Sequence, residues 1–251
     1  MTPYFEAPGV TLYLGDALEV LPTLEARSVD AVITDPPYGS NDGCGKVIKR
    51  GSMLVTFGES WDTELPLEWI ALGQRVLKVG CWMSVFTDKL SVNTLWKAMK
   101  DCGMFPKQTF YWIKTNPPPQ PRKNFCSGVE SAVVATNGPV KRWFGGGITL
   151  NYFKYPIVTN RDRTVHPTQK PVEVMQYLIE VQTVQRDLIL DPFLGSGTTA
   201  VAALRLGRRC IGIDIGEPYL EIAARRIERE LAQPRLFTPE PEAKPEQGGL
   251  W

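Results

Sequence analysis

Asp35-Pro36-Pro37-Tyr38 gathers an acid, two prolines and an aromatic ring in four consecutive residues. Proline has no amide hydrogen and a nearly fixed φ, so Pro36 and Pro37 offer their backbone only as carbonyl acceptors. The Asp35 carboxylate adds a second acceptor, and Tyr38 adds a flat face for a planar ring. Two acceptors converging beside an aromatic wall suit an exocyclic amino group on a heterocyclic base. The tetrad follows Val29-Asp30-Ala31-Val32-Ile33-Thr34, an apolar run that reads as a buried strand. In isolation it also fits a proline-rich turn that ends a strand.

A second group of residues lies far downstream. Asp187-Leu188-Ile189-Leu190-Asp191-Pro192-Phe193-Leu194-Gly195-Ser196-Gly197-Thr198-Thr199 reads as strand, tight glycine turn and helix, the helix running from about Thr198 to Leu206. The next strand, Arg209 to Asp214, ends in an acid. Glycines let a backbone approach its ligand closely, and an acid after the second strand can hold ribose hydroxyls, the outline of a Rossmann-type nucleoside site. Ala200 stands at the last position of the G-x-G-x-x-G pattern, a permitted variant. A G-x-x-x-x-G-K-[ST] loop is absent, which argues against a nucleoside-triphosphate hydrolase.

The tetrad resembles the catalytic motif of the amino-methyltransferases that modify adenine N6 or cytosine N4 in DNA. Asp191 to Thr199 resembles the S-adenosylmethionine site of the same enzymes. The catalytic motif precedes the cofactor motif, an order similar to the β group, a circular permutation of the same sheet. The resemblance implies a Rossmann-like α/β fold with a mostly parallel sheet, and Asp35, Pro36, Pro37 and Tyr38 as the catalytic set. It implies cofactor contacts from Asp191, Phe193, Gly195, Ser196, Gly197, Thr198 and Asp214. Thr11 to Ala17 reads as another strand ending in an acid, and there Asp16 would lie near the cofactor's adenine amino group. Capping of a helix over Ala17 to Leu24 explains Asp16 almost as well, and both roles can hold together. His166-Pro167-Thr168-Gln169-Lys170-Pro171, before an amphipathic stretch from Val172 to Val181, looks like the segment beside the cofactor's methionine end. Pro171 suits a first helical turn whose open amides favour a carboxylate. Lys170 would add positive charge there, or is simply solvated. His166, the one histidine of the chain, reads as structural.

The implied reaction needs no metal. Acceptors at Asp35 and the Pro36 carbonyl would localise the amino lone pair, which then attacks the sulfonium methyl. A base stacked inside a duplex must first flip out, which costs a few kcal/mol. Asp-Pro-Pro-Tyr leans towards adenine N6 and Ser-Pro-Pro-Tyr towards cytosine N4, so adenine is expected and cytosine is the alternative. A DNA-binding protein that keeps the fold without turnover is a lesser alternative.

The elements that must position these residues are legible in outline. Helix-patterned stretches (Leu65 to Leu77, Ser91 to Asp101) alternate with a strand over Cys81 to Phe86, which predicts a largely parallel sheet covered on both faces. Phe105 to Lys114 and Ser131 to Thr136 read as an antiparallel edge pair. Gly39 to Trp61 reads as a glycine-rich basic loop beside the catalytic tetrad. Thr115 to Val165 is rich in proline, glycine, basic residues and aromatics, and roughly Asn137 to Val165 is the candidate target-recognition insert. These segments belong to a single catalytic domain over residues 1–231, followed by a solvated tail from Ala232, expected to be disordered. Gln233 to Phe237 looks like a sliding-clamp-binding peptide, although Leu236 and Phe237 packing onto the domain explains it more simply.

Composition sets the bounds. The chain has 251 residues, 43% hydrophobic and 22% charged, ordinary for a soluble globular protein and enough for one substantial core. No apolar stretch approaches 18 residues and the amino end lacks a signal-peptide pattern, so neither a membrane nor export is expected. Five cysteines, never spaced C-x-x-C, point to neither zinc nor obligatory disulfides and fit a reducing cytosol, and the resemblance implies a cytoplasmic enzyme that is bacterial or phage-encoded. The net charge is only +1. From Lys97 to Lys170, however, twelve basic residues face three acidic ones, a local excess that suits double-stranded DNA. A second copy of the chain is a further allowed partner, and a restriction–modification setting fits.

Overall fold

Val29–Thr34 is buried at all six positions, which requires helices on both faces of the strand that it forms. The computed structural model describes residues 1–38, 67–117, 125–158 and 169–233, and the backbone of 46–50 and 53–57. In chain order the elements begin with β1 (Phe5–Ala7), β2 (Val10–Leu14), α1 (Ala17–Val20), β3 (Val29–Thr34), β4 (Lys46–Arg50) and β5 (Met53–Phe57). The middle holds α2 (Trp69–Val76), β6 (Leu77–Thr87), α3 (Val92–Asp101), β7 (Phe105–Lys114), β8 (Val129–Thr136) and β9 (Tyr152–Tyr155). Then come α4 (Val172–Gln182), β10 (Leu188–Asp191), α5 (Thr198–Arg205), β11 (Arg209–Asp214) and α6 (Glu217–Leu231).

Among the described residues, nine strands form one sheet in the order β1-β2-β11-β10-β3-β6-β8-β7-β9. The five central strands β2, β11, β10, β3 and β6 are mutually parallel. Side chains alternate between the two faces along each strand, so every buried strand feeds two cores. Ala31, Ile33, Trp82 and Phe86 point to the core beneath α4, α5 and α6, with Leu178, Ala202 and Ile227. Val32, Met83 and Val85 point to the opposite core, with Trp69 and Ile70 of α2 and Leu95 and Met99 of α3.

The predicted pair β7–β8 forms and is antiparallel, and β8 is also antiparallel to β6. One more strand, β9, lies outside the pair and runs parallel to β7. Its residues fall within the segment expected as a recognition insert, and Phe153 and Tyr155 pack against the first core. At the far edge, β1 turns back antiparallel on β2. The glycine-rich segment after the tetrad contains a separate antiparallel hairpin, β4–β5. The expected tail from Ala232 lies outside the described residues beyond Gln233, as do His166 and its neighbours 159–168. Among the described residues no helix is long and apolar enough to cross a membrane.

Candidate active site

From β10 the chain passes through α5 to β11 on one side of the sheet, while β3 leads by way of α2 to β6 on the other. The connections therefore diverge between β10 and β3, and a ligand crevice opens at such a switch point outside the carboxyl ends of the strands. Asp35 follows β3, Asp191 ends β10, Asp214 ends β11 and Asp16 follows β2. Residues far apart in the chain thus share one rim.

On the β10–β11 side the glycine turn is built for close approach. Gly195 and Gly197 have φ of 54° and 82°, left-handed values at which a side chain is strained. A Cβ on Gly197 would also sit 2.8 Å from the Ala223 Cβ, so the turn packs directly on α6. The Gly195 amide donates to Asp214 Oδ2 at 2.7 Å and the Gly216 amide to Oδ1 at 2.8 Å. Each carboxylate oxygen keeps a further lone pair for a ligand hydroxyl. Burial raises the Asp214 pKa and the two amides pull against it. Arg226 of α6 fixes the turn from behind, donating to the Ser196 carbonyl at 2.5 Å, its hydroxyl at 3.1 Å and the Thr198 hydroxyl at 3.3 Å.

Asp191 is buried and accepts from the Thr34 hydroxyl at 2.6 Å and the Phe193 amide at 3.1 Å. Burial outweighs these bonds and pushes its pKa up to about 6. The Phe193 ring meets Trp69 edge-on at 5.4 Å. Asp16 is exposed and caps α1, accepting from the Leu18 amide at 2.8 Å, so its capping role is realised. Ile215, just past Asp214, is 66% exposed and leaves an apolar side chain at the mouth of this half-site.

Across the switch point, Asp35 and Tyr38 lie with Lys170. The Tyr38 hydroxyl donates to Asp35 Oδ1 and the Lys170 ammonium to Asp35 Oδ2. The Lys170 side chain is 5% exposed, and its ammonium also donates to the Tyr38 hydroxyl at 3.2 Å. It lies 5.2 Å from the Phe86 ring centroid and 5.5 Å from that of Tyr38. Glu130, second residue of β8, pairs with Lys170 through Oε2 at 2.9 Å and with Lys114, last residue of β7, through Oε1 at 2.7 Å. Burial would raise the Glu130 pKa, but the two ammonium groups overcome it and bring it down to about 2. For Lys170, burial pushes down and the two carboxylates push harder, so it titrates well above a free lysine. Burial keeps Asp35 above its ordinary value, with Lys170 opposing. Burial and the adjacent carboxylate lift Tyr38 well above a free phenol. Two acids and two lysines leave this half-site without net charge. Lys170, expected beside a cofactor carboxylate, therefore has its charge turned to Asp35 and Glu130.

The opposite, amino-terminal rim carries Arg142. Its guanidinium binds Asp30 at the start of β3 and Asp187 just before β10, both at 2.7 Å. Asp30 also takes the Leu188 amide at 3.0 Å and Lys78 at 2.8 Å. Trp82 of β6 stacks at a tilt on Trp143, with ring centroids 5.1 Å apart. The first part of the expected insert is thus bound to the rim roughly 16 Å from Asp35, five residues along β3 at about 3.3 Å each. Of the basic excess counted in the sequence, Lys97, Lys114, Arg142 and Lys170 have acidic partners.

Glu130, Arg226 and Thr34 were not legible as site residues. Each acts on a partner from another element, and none sits in a motif. The one signal was Glu130 itself, the single charged residue of its strand.

A DNA methylase family profile, N6_N4_Mtase, matches residues 29–163 and 146–225. The chain is 30% identical to the Lactococcus lactis subsp. cremoris type II methyltransferase M2.LlaDCHI, over 90% of this chain and 92% of that protein. It is 29% identical to the type II methyltransferase M2.DpnII of Streptococcus pneumoniae, over 91% and 93%. Among solved structures it resembles an M1.HpyAVI–SAM complex, with a TM-score of 0.68, 27% identity and coverage of 86% and 99%. It also shares the fold of the cytosine-N4-specific PvuII DNA methyltransferase, with a TM-score of 0.71, 19% identity and coverage of 91% and 92%.

Proposed function

The chain belongs to the N6/N4 DNA methylase family, and from that premise we propose that it transfers a methyl group from S-adenosylmethionine to the N6 amino group of an adenine flipped out of DNA. One observation carries the reading: the Asp35 tetrad and the Gly195–Thr198 turn, distant in sequence, flank the same switch-point crevice. The residues present fit the cofactor. A turn with no room for a Cβ at Gly197, spare lone pairs on Asp214 and the open Ile215 side chain suit a nucleoside. When bound, S-adenosylmethionine supplies an electrophilic methyl on a sulfonium.

The protein's task is positioning. An adenine amino group is a poor nucleophile because its lone pair is delocalised into the ring. Asp35 and the Pro36 carbonyl accept its two hydrogens and draw the nitrogen towards tetrahedral geometry, so acceleration comes from orientation and preorganised charge. Asp35 need not be a strong base, since the nitrogen becomes acidic only as it gains the methyl. In the structure the Tyr38 hydroxyl occupies Asp35 Oδ1. Turning the Tyr38 ring to stack on the base, a contact worth roughly 1–3 kcal/mol, also releases that oxygen for the amino group. The double-stranded DNA partner agrees with the family. The lean to adenine rests on Asp-Pro-Pro-Tyr, and the fold shared with a cytosine-N4-specific enzyme keeps cytosine N4 as the second reading.

The test is to incubate the protein with labelled S-adenosylmethionine and unmethylated DNA, digest to nucleosides and identify the product by mass. N6-methyldeoxyadenosine is expected, and Asp35→Ala should abolish it while cofactor binding survives. N4-methyldeoxycytidine would overturn the choice of base, and no methylated nucleoside would favour a binding protein without turnover.

A further inference from the structure

Glu130 has no part in the family motifs recognised in the sequence, yet it is the hinge of the charge pattern around Asp35. The Lys170 ammonium is almost wholly buried and has three oxygens in reach: Asp35 Oδ2, Glu130 Oε2 at 2.9 Å and the Tyr38 hydroxyl at 3.2 Å. Its remaining surroundings include the Phe86 ring. Such an ammonium is stable only when charged partners replace its water. Asp35 has to serve this ammonium and also meet an amino group, so it must not be clamped by an excess of positive charge. Glu130, anchored in a central antiparallel strand and held from its other side by Lys114 at 2.7 Å, is the fixed partner.

We infer that Glu130 is a positioning residue for methyl transfer: its charge balances Lys114 and shares the Lys170 ammonium, so that Lys170 aims Asp35 without clamping it when Tyr38 lets go. This rests on the reading of Asp35 as the residue that meets the base. The set Lys114, Glu130, Lys170 and Asp35 is neutral as built. Replacing Glu130 by glutamine keeps its shape and leaves two lysines facing one carboxylate. The surplus charge draws Asp35 into a tighter pair with Lys170 and opposes the positive charge that develops on the amino nitrogen as it takes the methyl from sulfur. Removing Lys114 as well restores neutrality without restoring the carboxylate. The charge therefore separates from the shape.

The experiment compares wild type, Glu130→Gln and the double variant Lys114→Met/Glu130→Gln in single-turnover and steady-state methylation of DNA, with cofactor binding followed by calorimetry and folding by thermal melting. Glu130→Gln is expected to lower kcat by about 10–100-fold, the scale of a misplaced catalytic group, with KM for DNA and cofactor affinity nearly unchanged. The double variant is expected to regain most of that loss. A Glu130→Gln enzyme with wild-type kcat, a loss confined to KM, or a double variant as slow as the single one would each overturn the inference. If Glu130→Gln melts too low to assay, the double variant must fold and turn over. Failure of both would make Glu130 structural and sink the proposal. Wild-type turnover on the same DNA tests the underlying methyltransferase reading separately, because it is measured with Glu130 intact.

Discussion

A carboxylate in the switch-point crevice answers to burial before it answers to a ligand. Asp191 is 2% exposed and its pKa is raised to about 6, against about 3.9 in an unfolded chain. Between those values the folded protein binds more protons than the unfolded one, so this residue's contribution to stability falls as pH rises from about 4 to 6. Above that window the ionised Asp191 costs on the order of 2–3 kcal/mol, at about 1.4 kcal/mol per pKa unit. Asparagine still accepts from the Thr34 hydroxyl and the Phe193 amide but carries no charge. Asp191→Asn is therefore expected to melt higher than wild type at pH 7.5 and level with it near pH 4. A melting difference independent of pH would disprove the charge account. At this scale the sequence was unevenly informative. Asp35, Asp191 and Asp214 were legible because each ends an apolar run that fixes its place on the rim. Glu130 was not, because its meaning lies in lysines from β7 and from the approach to α4.

Elements were read more fully than their neighbours in the sheet. The buried strands β3 and β10 declare themselves by unbroken apolar runs, and the helices α2 and α3 by their spacing. Strand β9 did not, because four residues, Tyr-Phe-Lys-Tyr, are too few to display a period and stand among prolines and glycines. Its identity comes from pairing along β7, a tertiary fact. The turn leading into α5 was legible, and its tolerance can be stated. Gly197 combines a φ of 82° with a Cβ position 2.8 Å from Ala223. Gly197→Ala is expected to destabilise the fold by roughly 1–2 kcal/mol from left-handed strain alone, more as α6 is forced away, and to weaken cofactor binding in the same titration. Denaturant unfolding and calorimetry on one preparation check both. Unchanged affinity in a destabilised protein would detach the turn from the cofactor.

Across the whole molecule, charge is arranged by rim. The basic excess between Lys97 and Lys170 suggested one DNA-facing surface, yet Arg142 lies on the amino-terminal rim with its guanidinium on Asp30 and Asp187. A count along the chain cannot see which end of a strand a residue occupies, and β8, running antiparallel, delivers residues 137–144 to the far end. Arg142→Ala leaves two largely buried carboxylates short of a partner. Removing one member of a buried pair costs roughly 3–5 kcal/mol, and Lys78 on Asp30 and the partial exposure of Arg142 place the expected loss at about 2–3 kcal/mol. Methylation at 25 °C should be unchanged, measured as kcat and KM on DNA. A selective loss of DNA affinity would return Arg142 to the binding surface.

The Arg142 tie also bears on how such a chain can change. It joins β3 to β10, the two strands on either side of the crevice, at the ends away from the chemistry. The loops on the other rim then carry less of the burden of joining these two strands. Changes of length or sequence in those loops leave this fastening untouched, so such variants are expected to keep β3 and β10 joined.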